Sequence, residues 1–276
     1  MLVVIVILTA IGVVCGIIIY VVNRVLPPED EALKKTEEIS NCLPGMNCGA
    51  CGYPGCFAYA QALAKNPELI SESTCATVLQ NQEMLEGLGS ALGIKLNPSI
   101  GKKALVYCTG DTRVLGDYSG AKSCKAASRY VGGTKKCPYG CLGFGDCVEV
   151  CPEGAIHMDK ERNIAVIDPE KCNGCGLCVK ECPKNIIKLV PANTKIAFLC
   201  SYDSLKDIPG REKCDRGCIH CRKCYKACEY EAIVWNKEKA IPEFDIEKCT
   251  LCGACVKACP QNTLTEFSNI LRKVPV

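Results

Sequence analysis

The stretch Lys171 to Pro183, KCNGCGLCVKECP, spaces Cys172, Cys175, Cys178 and Cys182 as C-x-x-C-x-x-C-x-x-x-C-P. Three cysteines two residues apart can wrap one corner of a compact metal–sulfur cube. The fourth, three residues on and followed by Pro183, points elsewhere, and in chains of this spacing it ligates a neighbouring cluster. The run therefore predicts a partner run, and the sequence contains one.

From Cys137 the chain repeats itself. Cys137, Cys141, Cys147, Cys151, Cys172, Cys175, Cys178 and Cys182 recur 77 residues later as Cys214, Cys218, Cys224, Cys228, Cys249, Cys252, Cys255 and Cys259. A fixed period of this kind marks a duplicated structural unit. Each unit has room for a two-cluster ferredoxin-like domain. In the second, Cys218, Cys221 and Cys224 share one cluster with Cys259, and Cys228 joins Cys249, Cys252 and Cys255 in the other. Glu229 stands where proline usually follows the fourth cysteine, a departure that costs no ligand. The first unit departs more, because Phe144 occupies the position of Cys221. Cys137 is the nearest substitute, so the expected sets are Cys137, Cys141, Cys147 and Cys182, and Cys151, Cys172, Cys175 and Cys178. A three-iron cluster lacking its fourth ligand is the alternative for the first set.

Composition agrees with this reading. The 276 residues include 26 cysteines, one Trp and five Phe. A disulfide framework needs export, and the sequence has no cleavable signal pattern. Structural zinc prefers well-separated ligand pairs, whereas here three or four cysteines crowd one loop several times over. The formal net charge of +3 ignores the thiolates, which make each cluster anionic. The basic residues offset that charge, and no basic stripe with interleaved aromatics points to nucleic acid.

Residues 2–22, LVVIVILTAIGVVCGIIIYVV, carry no charge, and fifteen of them are Leu, Ile or Val. As a helix they extend about 31 Å, which matches a hydrocarbon core of about 30 Å. They predict a single membrane anchor. Gly12 and Gly16 form a G-x-x-x-G pair, a weak signal for close helix approach. Pro27 and Pro28 end the helix. Arg24, Lys34 and Lys35 follow it, which keeps the rest of the chain cytoplasmic. Beyond a charged connector with one short helical segment comes MNCGACGYPGC, whose glycines permit tight turns around Cys48, Cys51 and Cys56. A helix over 57–65 returns the chain to Cys75, the fourth ligand of this site. A second helix over 84–94, a linker with Pro98 and a strand over 103–107 lead to Cys108.

Five clusters need twenty cysteines. Cys15 is a small apolar filler of the first helix, and Cys42 has no partner in its module. Cys108, Cys124, Cys200 and Cys214 remain and suggest a sixth cluster between the units, with free buried thiols as the alternative. The expected fold is thus α+β. Its parts are an anchor (1–26), a linker (27–41), a four-cysteine domain (42–80), an irregular linker (81–136) and two ferredoxin-like domains (137–190 and 191–276).

Such a chain passes single electrons. No G-x-G-x-x-G follows a strand, so a nicotinamide or flavin site is not indicated. His157 and His220 are the only histidines, and neither lies in a triad-like setting. The order of anchor, NCGACGYPGC with Cys75, and doubled ferredoxin modules resembles the family of B subunits of Rnf electron-transport complexes, over nearly the full length. The resemblance implies [4Fe-4S] clusters, five or six in number, in a single-pass protein of the cytoplasmic (inner) membrane. It also implies electrons taken from soluble ferredoxin and relayed to other Rnf subunits, one of which carries the flavin and NAD site, with sodium or proton transport coupled to the transfer. Two other classes are a cluster subunit of a membrane-bound hydrogenase or formate dehydrogenase, and a corrinoid- or activator-type protein. The anchor coming first argues against the former. The lack of room for a cobalamin-binding barrel argues against the latter.

Overall fold

Short strands of Ile, Val, Ala and Phe, separated by cysteine loops, pair far along the chain and close two similar units. The computed structural model describes residues 2–25, 30–97, 100–110, 116–130, 134–202, 214 and 216–270. The expected stop at Pro27 and Pro28 and the linker residue Pro98 lie outside the described residues.

Helix α1 (Leu2–Val25) is continuous and exposes Ile7, Ile11, Val13, Val14, Ile17, Ile18 and Ile19. Among the described residues no helix is long and apolar enough to cross a membrane. Several α1 side chains, those of residues 2–6, 8, 10 and 23 among them, lie outside the description. The fold by itself therefore does not show the expected anchor.

The four-cysteine module is helical: α2 (Asp30–Asn41), α3 (Cys56–Lys65), α4 (Leu69–Glu72), α5 (Ala76–Gln80) and α6 (Gln82–Leu92). The connector expected before it is part of it, because α2 packs on α3 and buries Ile39 completely. Ile39, Tyr59, Leu63, Val78 and Leu88 form the centre of its core. Burial of each such side chain contributes about 1.5–3 kcal/mol. Asn81 caps α6 by accepting the Met84 N–H at 3.1 Å, and Gly93 ends that helix in the left-handed region.

The first ferredoxin-like unit comprises β1 (Lys102–Val106), α7 (Cys124–Arg129), α8 (Asp146–Glu149), β2 (Ile156–Asp159), β3 (Ile164–Ile167), α9 (Leu177–Glu181) and β4 (Ile187–Pro191). β1 pairs antiparallel with β4, in register from Lys102 with Pro191 to Val106 with Ile187. β2 and β3 form a hairpin, Ile156 opposite Ile167. The described part of residues 81–136 thus holds more than a linker. It supplies the last helix of the four-cysteine module, the closing strand of this unit, and α7. The closing strand finds its partner about eighty residues away, so no local pattern announces it.

The second unit repeats the plan with β5 (Ile196–Phe198), α10 (Lys223–Lys226), β6 (Ile233–Asn236), β7 (Ile241–Phe244), α11 (Ala254–Ala258) and β8 (Leu264–Glu266). β5 closes on β8, and β6 pairs with β7. A 3-10 turn, Phe267–Asn269, follows β8. Phe267 and Ile270 are buried in the core of the first unit, so the two units share apolar surface.

Candidate metal centres

Four short loops carry the repeated runs, and all four have one backbone shape. Two residues after the first cysteine of each run the backbone is left-handed, at Gly143, Gly174, His220 and Leu251. It is left-handed again two residues before the last cysteine of the triplet, at Gly145, Gly176, Arg222 and Gly253, and a short helix starts there. The first of these turns aims an N–H at sulfur. Gly174 donates to Cys172 Sγ at 3.4 Å and His220 to Cys218 Sγ at 3.4 Å. Ala104 N–H, from β1, reaches Cys172 Sγ at 3.3 Å. Donors of this kind suit a sulfur that carries negative charge. His220 also places Nδ1 2.6 Å from the Ala240 carbonyl, so it shapes the loop.

In the second unit Cys218, Cys221, Cys224 and Cys259 line one small cavity, together with Trp235 and Leu264. Cys228, Cys249, Cys252 and Cys255 line another. Both groupings are as expected from the spacing. Burial and the neighbouring thiols push Cys218 up to about 12 and Cys255 up to about 11. Thiols that hinder one another's ionisation in this way are relieved by a bound cationic centre. Cys221 and Cys252 are exposed.

In the first unit Cys178 is pushed up to about 12, by burial first and then by Cys172, Cys175 and Cys151. Those four thiols stand together as expected. The other set differs from expectation. Cys141, Cys147 and Cys182 line a cavity with Cys124, not with Cys137. Burial raises Cys147, as do Cys141, Cys124 and Cys182. Cys124 comes from α7, at whose start Asp146 acts as an anchor. Asp146 accepts the Cys124 N–H at 2.7 Å, the Ser123 hydroxyl at 2.8 Å and the Lys125 N–H at 3.2 Å. Burial opposes the charge on Asp146, but these hydrogen bonds outweigh it and hold the carboxyl below its ordinary range. The Phe144 ring packs edge-on to Tyr118 at 5.6 Å. Cys124 thus joins Cys141, Cys147 and Cys182 from outside the loop. Sequence proximity favoured Cys137, but proximity along a loop does not fix which face a side chain occupies. The Ser123–Cys124 pair, 22 residues upstream of Asp146, gave no local signal.

Cys137 instead lines a cavity with Cys108, Cys200 and Cys214. Cys124 therefore leaves the expected extra set, and Cys137 replaces it.

In the N-terminal module Cys75 is raised by burial and by Cys51 and Cys48, and the Val78 and Thr77 N–H groups counteract this. Asn47 orders the loop by accepting the Cys56 N–H at 2.8 Å. Helix α5 docks on the loop of the first unit. Gln80 Nε2 donates to the Asn173 carbonyl, and Asn173 Nδ2 donates to Thr77 Oγ1 at 3.1 Å. Cys48 is close enough to Cys175 to raise it. Cys42 packs under α6 and donates to the Glu38 carbonyl at 3.4 Å, apart from this site. Cys15 is exposed on α1.

Among the described residues no group of three or more His, Cys, Asp or Glu is drawn together around a single metal ion. The donor set is all sulfur, with backbone N–H groups aimed at it, which fits [4Fe-4S] clusters.

The comparisons with known proteins agree. Residues 136–186 and 217–263 match the family described as 4Fe-4S dicluster domain, and residues 43–72 match a putative Fe-S cluster family. The chain is 34% identical over 262 residues to the B subunit of the ion-translocating oxidoreductase complex of Methanosarcina acetivorans, covering 94% of this chain and 95% of that one. It is 33% identical to the B subunit of the proton-translocating ferredoxin:NAD(+) oxidoreductase complex of Clostridium ljungdahlii, over 95% of this chain and 90% of that one. It is 34% identical to the Na(+)-translocating counterpart of Acetobacterium woodii, over 81% of this chain and 66% of that one. With this identity over nearly its whole length, and with the dicluster and Fe-S matches falling on the cysteine sets, the chain belongs to the family of B subunits of ion-translocating Rnf oxidoreductase complexes.

Proposed function

We propose that this chain is the membrane-anchored iron–sulfur relay of an ion-translocating ferredoxin:NAD oxidoreductase, taking electrons from reduced ferredoxin and handing them to other subunits of the complex. Bound [4Fe-4S] clusters supply the ability to accept and release single electrons. Everything else is done by the chain's own residues, which hold, space and shield the sites. The ligand sets that fit are Cys48, Cys51, Cys56 and Cys75; Cys151, Cys172, Cys175 and Cys178; Cys124, Cys141, Cys147 and Cys182; Cys218, Cys221, Cys224 and Cys259; and Cys228, Cys249, Cys252 and Cys255.

The observation that carries the proposal is succession. Cys48 bears on Cys175, Cys178 on Cys147, and Cys224 on Cys255. The N-terminal site thus neighbours the first unit, and the two sites of each unit neighbour one another, which suits a line of sites and not a scatter. One end of the line lies in the module that follows α1. The other end carries the exposed Cys252 and Cys221, with Lys248, Arg222 and Lys223 beside them in sequence. That end is accessible to a soluble, acidic electron donor.

The anchor rests on sequence and length. Helix α1 has 24 residues and carries no charge before Arg24. At 1.5 Å per residue a helix of that length extends about 36 Å, against a hydrocarbon core of about 30 Å. Arg24, Lys34 and Lys35 keep the remainder on the cytoplasmic side. The test uses inverted membrane vesicles carrying the whole complex. Reduced ferredoxin should drive NAD reduction with the intact chain and fail to do so with Cys175→Ser, while the variant stays in the membrane fraction. Normal turnover in that variant overturns the relay. Recovery of the chain in the soluble fraction overturns the anchor.

A further inference from the structure

We propose that Cys108, Cys137, Cys200 and Cys214 hold a further [4Fe-4S] cluster in the seam between the two ferredoxin-like units. The proposal rests on the iron–sulfur function proposed above and adds a site that the repeated runs do not contain. All four thiols line one cavity, walled by Tyr107, Tyr139, Leu199, Tyr202 and Ile219.

Each unit contributes an equivalent pair. Cys108 and Cys200 both stand two residues beyond the strand that opens their unit, β1 or β5. Cys137 and Cys214 both stand four residues ahead of the first cysteine of their unit's first run, Cys141 or Cys218. Two strand ends and two loop starts, brought face to face, make a four-thiol site with near twofold character.

The backbone around the cavity is arranged for anionic sulfur. Cys108 Sγ accepts the Gly110 N–H at 3.4 Å and the Cys141 N–H at 3.5 Å. Cys214 Sγ accepts the Gly217 N–H at 3.1 Å. The seam is also closed over. Tyr139 and Tyr202 meet edge to face at 5.0 Å, and Ser201 donates to the Tyr139 carbonyl at 2.6 Å. A pair of ordinary buried thiols needs neither three converging N–H groups nor such a cover.

The location gives the site its use. The peptide N–H of Cys141 reaches Cys108 Sγ at 3.5 Å, and Cys218 lines the cavity beside Cys200. Cys141 and Cys218 are ligands of the flanking sites on either side. Thiols of both units line this one cavity, so a cluster held here makes the line continuous from the N-terminal module to Cys252.

The test is iron per polypeptide and thiol protection in the full-length protein, prepared without oxygen. Six clusters give about 24 iron atoms, and five give about 20. Cys137→Ser and Cys214→Ser should each lower the count by about four, and Cys15→Ser should not. In the unmodified protein, iodoacetamide followed by mass spectrometry should leave Cys108, Cys137, Cys200 and Cys214 unlabelled until iron is stripped with a chelator, and labelled afterwards. This measurement decides the matter even if a variant fails to fold. About 20 iron atoms with these four thiols labelled in the iron-loaded protein overturns the seam site and leaves the other five standing. A Cys137–Cys214 disulfide in that preparation overturns it too. Absence of iron altogether overturns the underlying function instead.

Discussion

The two ferredoxin-like units share one backbone plan and solve the same ligand problem differently. The second unit carries its triplet within a single loop, Cys218, Cys221 and Cys224. The first keeps both left-handed turns of that loop, at Gly143 and Gly145, but places Phe144 where the middle ligand belongs. It recovers a thiol from α7, tied to the loop by Asp146. The loop conformation is therefore fixed by backbone hydrogen bonds and turn residues, and the identity of the ligand can be outsourced.

The largest effect expected bears on what the units share. Cys175→Ser in the first and Cys252→Ser in the second should each remove about four iron atoms and stop ferredoxin-dependent NAD reduction. Equal losses support a single line, whereas a second unit that can be silenced without loss of turnover breaks it. Next comes the difference between them. Cys124→Ser should lose its site or convert it to a three-iron centre, visible as an oxidised-state paramagnetic signal. The double variant Cys124→Ser with Phe144→Cys should regain the four-iron form, since it restores the triplet of the second unit. Failure of that rescue, with the fold intact, would mean that the first loop is not a true copy of the second.

A smaller effect concerns two lysines that the duplication preserved. Lys103 Nζ donates to the Cys172 carbonyl at 2.6 Å, and Lys195 Nζ to the Cys249 carbonyl at 2.5 Å. Each fastens the start of a second run to the opening strand of its own unit. Replacing either with Met should cost about 1.5–3 kcal/mol, the range for a hydrogen bond to a charged group, read as a lowered urea midpoint of the iron-loaded protein. Unequal costs would show that one unit is braced elsewhere. The smallest effect is that of Asp146→Asn. Because folding lowers the Asp146 pKa from its ordinary 3.8, its stabilisation is complete above that value and is lost as pH falls through the depressed one. The gap between the native protein and the variant should therefore be widest near neutrality and vanish in strong acid, by urea denaturation of the metal-free chain.

Most of the site was legible because cluster ligation is written in local spacing. The thiols expected to group in the second unit line two shared cavities, and the helices over 57–65 and 84–94 are present, as is the strand over 103–107. The illegible parts all depend on contacts between distant segments. β1 finds β4 about eighty residues away. Helix α2 is charged along most of its length and reads as a connector, yet one face carries Ile39 into the core. Cys124 and Cys137 exchange places because α7 is anchored by a carboxylate 22 residues further on.

The shared apolar surface around Phe267 and Ile270 has a consequence for biogenesis. A ribosome delivers the first unit's strands long before the residues that finish its core, since both come after the final strand of the second unit. Halting synthesis, or cutting the chain, just short of Phe267 should thus leave the earlier half exposed to solvent and slow to mature, however complete its own cysteine loops.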